Sequence, residues 1–129
     1  MSRYGISKKL ACGYEEAVGR ARASLAKQGF GVLTEIDVAA TLKKKLGKDF
    51  RDYIILGACN PPLAHKALTV ETEVGLLLPC NVIVYENDEG GVTVSAIDPM
   101  VAMSMIENPA LALVAKDVRE LLEKVIEGL

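Results

Sequence analysis

Residues 76–97 read LLLPCNVIVYENDEGGVTVSAI. Two runs rich in Val, Ile and Tyr flank the polar stretch NDEGG. β-branched and aromatic side chains suit a pleated, half-buried surface, so each run reads as a strand. LLLPCNVIVYE is the strongest strand signal in the chain, and GGVTVSAI is the next. NDEGG has the composition of a hairpin turn, with Gly90 and Gly91 free to take positive φ. An antiparallel hairpin therefore sits in the second half of the chain.

Working toward the N-terminus, DYIILGAC at 52–59 is a continuous apolar strand. Asn60-Pro61 then opens a helix to about Leu68, and residues 69–75 read as a turn. FGVLTEID alternates, and puts Phe30, Val32, Thr34 and Ile36 on one strand face. Asp37 caps a short helix over 38–46 that Gly47 stops, with Leu42 and Leu46 expected to anchor it inward. Upstream, Tyr14, Ala17, Val18, Ala21 and Leu25 recur at helical spacing, and Gly29 ends that helix as a left-handed cap. Residues 3–9 form a short leading strand.

Toward the C-terminus, Asp98-Pro99 opens a short helix carrying Met100, Met103 and Met105. Asn108-Pro109 opens the last helix, whose buried stripe is Leu111, Val114, Ala115, Val118, Leu122, Val125 and Ile126. The predicted order is β-α-β-α-β-α-β-β-α-α. Two long helices, the first and the last, then cover one face of a mostly antiparallel sheet, an α+β sandwich. With 129 residues and no linker, repeat or low-complexity segment, the expectation is a single domain over 1–129.

Composition narrows the function. Half the residues are hydrophobic, a quarter are charged and tryptophan is absent, so the core is aliphatic. The net charge is −2, and Lys43, Lys44 and Lys45 form the one basic run, read as a solvated helix face. Nucleic-acid binding, which needs a basic stripe to displace phosphate counterions, is not expected. No apolar stretch approaches the ~20 residues that span a bilayer, so no membrane partner is expected either. Residues 1–10 lack the apolar run of a signal peptide, and the cysteines number three. Free thiols in a reducing cytoplasm are expected, not a disulfide framework.

Two of those cysteines precede asparagine, as Cys59-Asn60 and Cys80-Asn81. Asn60 reads first as a helix N-cap ahead of proline. Asn81 opens a strand, where an amide needs a hydrogen-bond partner, either a loop backbone or a ligand. Antiparallel pairing of 52–59 with 77–85 brings Cys59 near Cys80, and the following helix brings His65, the one histidine, toward the same sheet end. Three readings of this cluster stay open. The cysteines are small buried hydrophobes. Or Cys59, Asn60, His65, Cys80 and Asn81 line a small-molecule pocket. Or Cys59, His65 and Cys80 ligate a soft metal. The methionines read as core filler before metal ligands. No G-x-S-x-G elbow, P-loop or H-E-x-x-H occurs. Glu35 and Asp37 read as a surface or ion-paired group and a helix cap, not as an acid/base pair.

The blocks LGACNP, LLPCNV and IDP, in this spacing, resemble the domain-of-unknown-function family DUF302 over nearly the whole chain. The shared motif falls on Gly57, Cys59, Asn60, Pro61, Leu78, Pro79, Cys80 and Asn81. The resemblance implies an α+β sandwich similar to the TATA-binding-protein fold, with a curved antiparallel sheet, and a homodimer. It implies no activity. The leading expectation is a cytoplasmic dimeric module that binds a small molecule or soft metal near the two Cys-Asn dipeptides. A thiol enzyme acting in redox or sulfur transfer, and a protein-interaction module, are the alternatives.

Overall fold

The structure, a computed structural model, describes residues 2–129. Its strands are β1 (Gly5–Leu10), β2 (Gly31–Asp37), β3 (Tyr53–Cys59), β4 (Cys80–Glu86) and β5 (Val92–Ile97). Its helices are α1 (Tyr14–Lys27), α2 (Val38–Leu46), α3 (Pro61–Val70), α4 (Pro99–Ala102) and α5 (Pro109–Glu127). All strands pair antiparallel in one open five-stranded sheet, in the order β1-β5-β4-β3-β2. The α+β sandwich and the element order are as the sequence reads, with one addition. Residues 69–75, expected to form a turn, instead finish α3 and run into a 3-10 helix over Thr72–Leu77. Consequently β4 begins at Cys80, after the 3-10 helix and a cis Leu78-Pro79 bond.

Strand pairing sorts the two sheet faces. Ile54, Val84 and Val94 are register partners, as are Leu56, Val82 and Ala96, and all six are buried. This face meets α1 and α5, whose buried stripes are Ala17, Ala21 and Leu25 on α1 and the seven predicted positions on α5. Ser24 of α1 donates to Val125 O at 2.6 Å, so the one buried hydroxyl on α1 ties the two long helices together. The opposite rows, Ile36–Ile55–Ile83–Ser95–Ser7 and Tyr53–Tyr85–Thr93–Lys9, carry no helix from α1 or α5.

Two local expectations fail for identifiable reasons. A β-bulge between Val32 and Thr34 inserts one residue, Leu33, into β2. An extra residue flips the alternation. Val32 therefore shares the helix-side register with Ala58, whereas Thr34 and Ile36 lie on the open face, paired with Gly57 and Ile55. Phe30, Val32, Thr34 and Ile36 do not share one face. The helix α2 buries none of its residues, and Leu46 is 66% exposed, so Leu42 and Leu46 do not anchor it in the core. The apolar spacing was right, but α2 connects two strands at the sheet edge and has no neighbouring layer to bury against.

In the β4–β5 turn, Gly90 takes φ 82°, but Gly91 does not enter positive φ. Gly91 is required by close approach instead: a Cβ there would lie 2.8 Å from Leu10 O.

Candidate functional site

The two Cys-Asn dipeptides meet at one end of the sheet, where β3 ends and β4 begins. Ala58 pairs with Cys80, which places Cys59 beside the start of β4. Asn60 then leaves the strand and caps α3. Its Oδ1 accepts from Leu63 N at 3.3 Å, and its Nδ2 donates to Gln28 O at 3.5 Å. The second bond fixes the β3–α3 corner against the end of α1, so Asn60 is both a cap and a clamp.

At Gly57, an added Cβ would lie 2.8 Å from Pro79 Cγ and would collide with Thr34 Oγ1. Glycine at this position lets the proline ring of the incoming turn sit directly over β3. The Leu78–Pro79 segment is thereby seated against the strand, and Cys80 is delivered beside Ala58.

Behind this corner lies a cleft of about 310 Å³. Cys59, Asn60 and Cys80 line its strand side, with Leu78 and Pro79. The helix α3 contributes Leu63, Ala64, Ala67 and Leu68, which fall on one helical stripe. Val114, Ala115 and Val118 of α5 form the floor, and Met103, just past α4, closes one end. Phe30 and Leu33 complete the wall. Leu33 reaches the cleft because it is the bulged residue, and with Leu68 it forms an exposed rim. None of these side chains is charged.

The five sequence-predicted site residues are therefore divided. Cys59, Asn60 and Cys80 come together in the cleft, and Met103 joins them. His65 does not, since it lies off the 63/64/67/68 stripe of α3 and is exposed. Asn81 alternates to the open sheet face, opposite Gly57, where it is exposed beside Ile83 and Tyr85. Met105 is 77% exposed and Met100 is exposed, and neither lines the cleft. Among the described residues, no group of three His, Cys, Asp or Glu side chains gathers closely enough to hold a metal ion. Sequence reasoning missed the α3 stripe, although its four apolar positions at helical spacing were legible. Phe30 and Leu33 could not be assigned to the cleft, because the bulge has no clear sequence signature.

The cleft is electrically quiet. Burial first, and the neighbouring Cys59 as a smaller effect, push the Cys80 thiol up to about 11. Near neutral pH Cys80 is a protonated, weakly polar wall group, not a thiolate. The carboxylates lie elsewhere. Asp37 caps α2 through Ala40 N at 2.9 Å, Glu35 pairs with Arg22, and Asp98 caps α4 and meets Arg119 Nε at 3.0 Å.

Residues 6–129 match DUF302, described as a domain of unknown function. The chain belongs to the DUF302 family. A comparison with curated proteins finds no match. Among solved structures, the chain is similar to an uncharacterized conserved DUF302 protein from Bacillus stearothermophilus, at 30% identity. That likeness covers 98% of each chain with a TM-score of 0.91. The fold is thus that of another DUF302 protein from end to end, and the function of the family is uncharacterised. No helix among the described residues is long and apolar enough to cross a membrane.

Proposed function

We propose that this DUF302 protein binds a small organic molecule in the cleft between α3, α5 and the Cys59–Cys80 corner, and does so as a cytoplasmic homodimer. One observation carries the reading: an uncharged concavity of about 310 Å³ at the sheet end. Ligand sites are concave, mostly apolar and upward of about 300 Å³, with few polar groups. Its free cysteines suit a reducing compartment. An organic ligand is favoured over a soft metal because His65 stands outside the cleft, and no group of three His, Cys, Asp or Glu side chains gathers there among the described residues. The thiol-enzyme reading has less support, because burial holds Cys80 protonated.

Native mass spectrometry on freshly purified, reduced protein, with elemental analysis, tests the proposal. The expected result is an organic mass retained by the wild type and lost from Ala64→Phe, which fills the cleft from a half-buried position on α3. A mass retained equally by a folded Ala64→Phe protein would place the ligand elsewhere and defeat the reading.

The dimer has its own support. The open-face rows carry Ile36, Ile55, Ile83, Tyr53 and Tyr85, and their one charged side chain, Lys9, is paired with Glu89 at 2.6 Å. A two-fold interface sets a surface against itself, so a nearly charge-free face can meet its copy without repulsion.

A further inference from the structure

We infer that the cleft selects a small uncharged aromatic ring system, an inference that rests on the cleft being the ligand site. Size comes first. A cleft of about 310 Å³ lies at the small end of ligand sites, which suits a bicyclic ring or a substituted single ring.

Charge comes second. The lining contains no ionisable side chain other than the two cysteines, and Cys80 stays protonated near neutral pH. The one amide, Asn60, accepts from Leu63 N through its oxygen and donates one of its two N–H groups to Gln28 O, which leaves a single neutral N–H donor. A carboxylate or ammonium entering the cleft loses its hydration and finds no partner of opposite charge. The same shortage of polar groups disfavours a sugar or another polyol.

Polarizability comes third and separates aromatic from saturated rings. Two sulfur side chains that pack in the core, Cys80 and Met103, line the cleft, and Phe30 adds an aromatic wall. Sulfur and aromatic walls attract a ring quadrupole beyond what equal apolar area provides. A saturated ring of the same size gains only the area.

The test uses three probes with the same number of heavy atoms: indole, cyclooctanol and benzoate. Each is titrated into amide-resolved NMR spectra of the full chain. Indole is expected to shift amides at Phe30, Leu63, Ala67 and Met103. Benzoate is expected to bind at least about a hundredfold more weakly, and cyclooctanol several-fold more weakly. Met103→Leu conserves volume and removes one sulfur. It should bring the indole-to-cyclooctanol preference down by about two- to tenfold while leaving cyclooctanol binding intact.

Cyclooctanol or benzoate shifting the same amides at affinities equal to indole would overturn the aromatic, uncharged class and leave the cleft standing as a site. Indole shifting only amides outside the cleft, or shifting none, would overturn both the class and the site.

Discussion

Cys80 concentrates the chemistry of the site into one side chain. It is buried because Ala58 pairs with it on the helix side of the sheet. Burial disfavours its thiolate and raises its pKa from 9.0 to about 11. In the unfolded chain this thiol ionises above about 9, whereas the folded chain holds its proton to about 11. Between those values the unfolded state releases a proton that the folded state keeps. Stability from this residue is therefore full below pH 9 and falls as pH rises through 11. The loss amounts to about 2 kcal/mol by pH 11. Tyr14 adds a loss of the same sign, because burial first, and Asp37 next, push its hydroxyl up to about 12. Urea denaturation across this range should show the decline. Cys80→Ala should flatten the portion between 9 and 11 and leave the Tyr14 portion. An unchanged slope in Cys80→Ala would mean that the thiol ionises freely in the folded protein.

At the scale of elements, the protein repeats one device. An Asn or Asp followed by proline starts α3, α4 and α5, and each side chain accepts from backbone N–H groups of the first turn. The capping residues also join elements. Asn108 accepts from Ala110 N and Leu111 N, while its Nδ2 donates to Val70 O at 2.9 Å and Glu71 Oε1 at 3.0 Å. It thus bolts the start of α5 to the end of α3, the two helices that wall the cleft. Asn108→Ala removes the cap and both bridging bonds, and should cost about 2 kcal/mol in chemical denaturation. Asn108→Asp keeps the acceptor for the cap but sets a carboxylate against Glu71 and Val70 O. It should fall between Asn108→Ala and the wild type, and recover toward the wild type as pH is lowered and the carboxylates protonate. Equal stability of Asn108→Ala and the wild type would show that the bridge carries no net free energy.

At the scale of the molecule, the asymmetry of the sheet dominates. One face is closed by α1 and α5, while the other presents Ile55, Ile83, Tyr53 and Tyr85, with Ile36 49% exposed at its edge. Five strands about 4.8 Å apart and six residues long span roughly 500 Å² in projection. That is the scale of one side of a modest specific interface. In the proposed dimer, Ile83→Glu places a charge at the centre of this face and should convert the dimer to a monomer in light scattering. Leu113→Glu, at an exposed position on α5, should leave the mass unchanged. A wild-type monomer at micromolar concentration, or a dimer that survives Ile83→Glu, would exclude the open face as the interface.

The sequence by itself determined the element order, the N-caps, the α5 stripe and the antiparallel meeting of Cys59 with Cys80. Those features depend on local rules: periodicity, proline and cap chemistry, and the parity of neighbouring strands. Only the tertiary structure decided that His65 turns to solvent, that Asn81 belongs to the open face, and that α2 stays unburied. It also decided that the bulge at Leu33 carries the cleft wall. These outcomes depend on which layer lies opposite each element, and on a one-residue insertion in β2 that reverses side-chain direction. Hydrophobic spacing specifies that a side chain has an inside, whereas the packing of α3 and α5 against the β3–β4 corner decides what that inside touches.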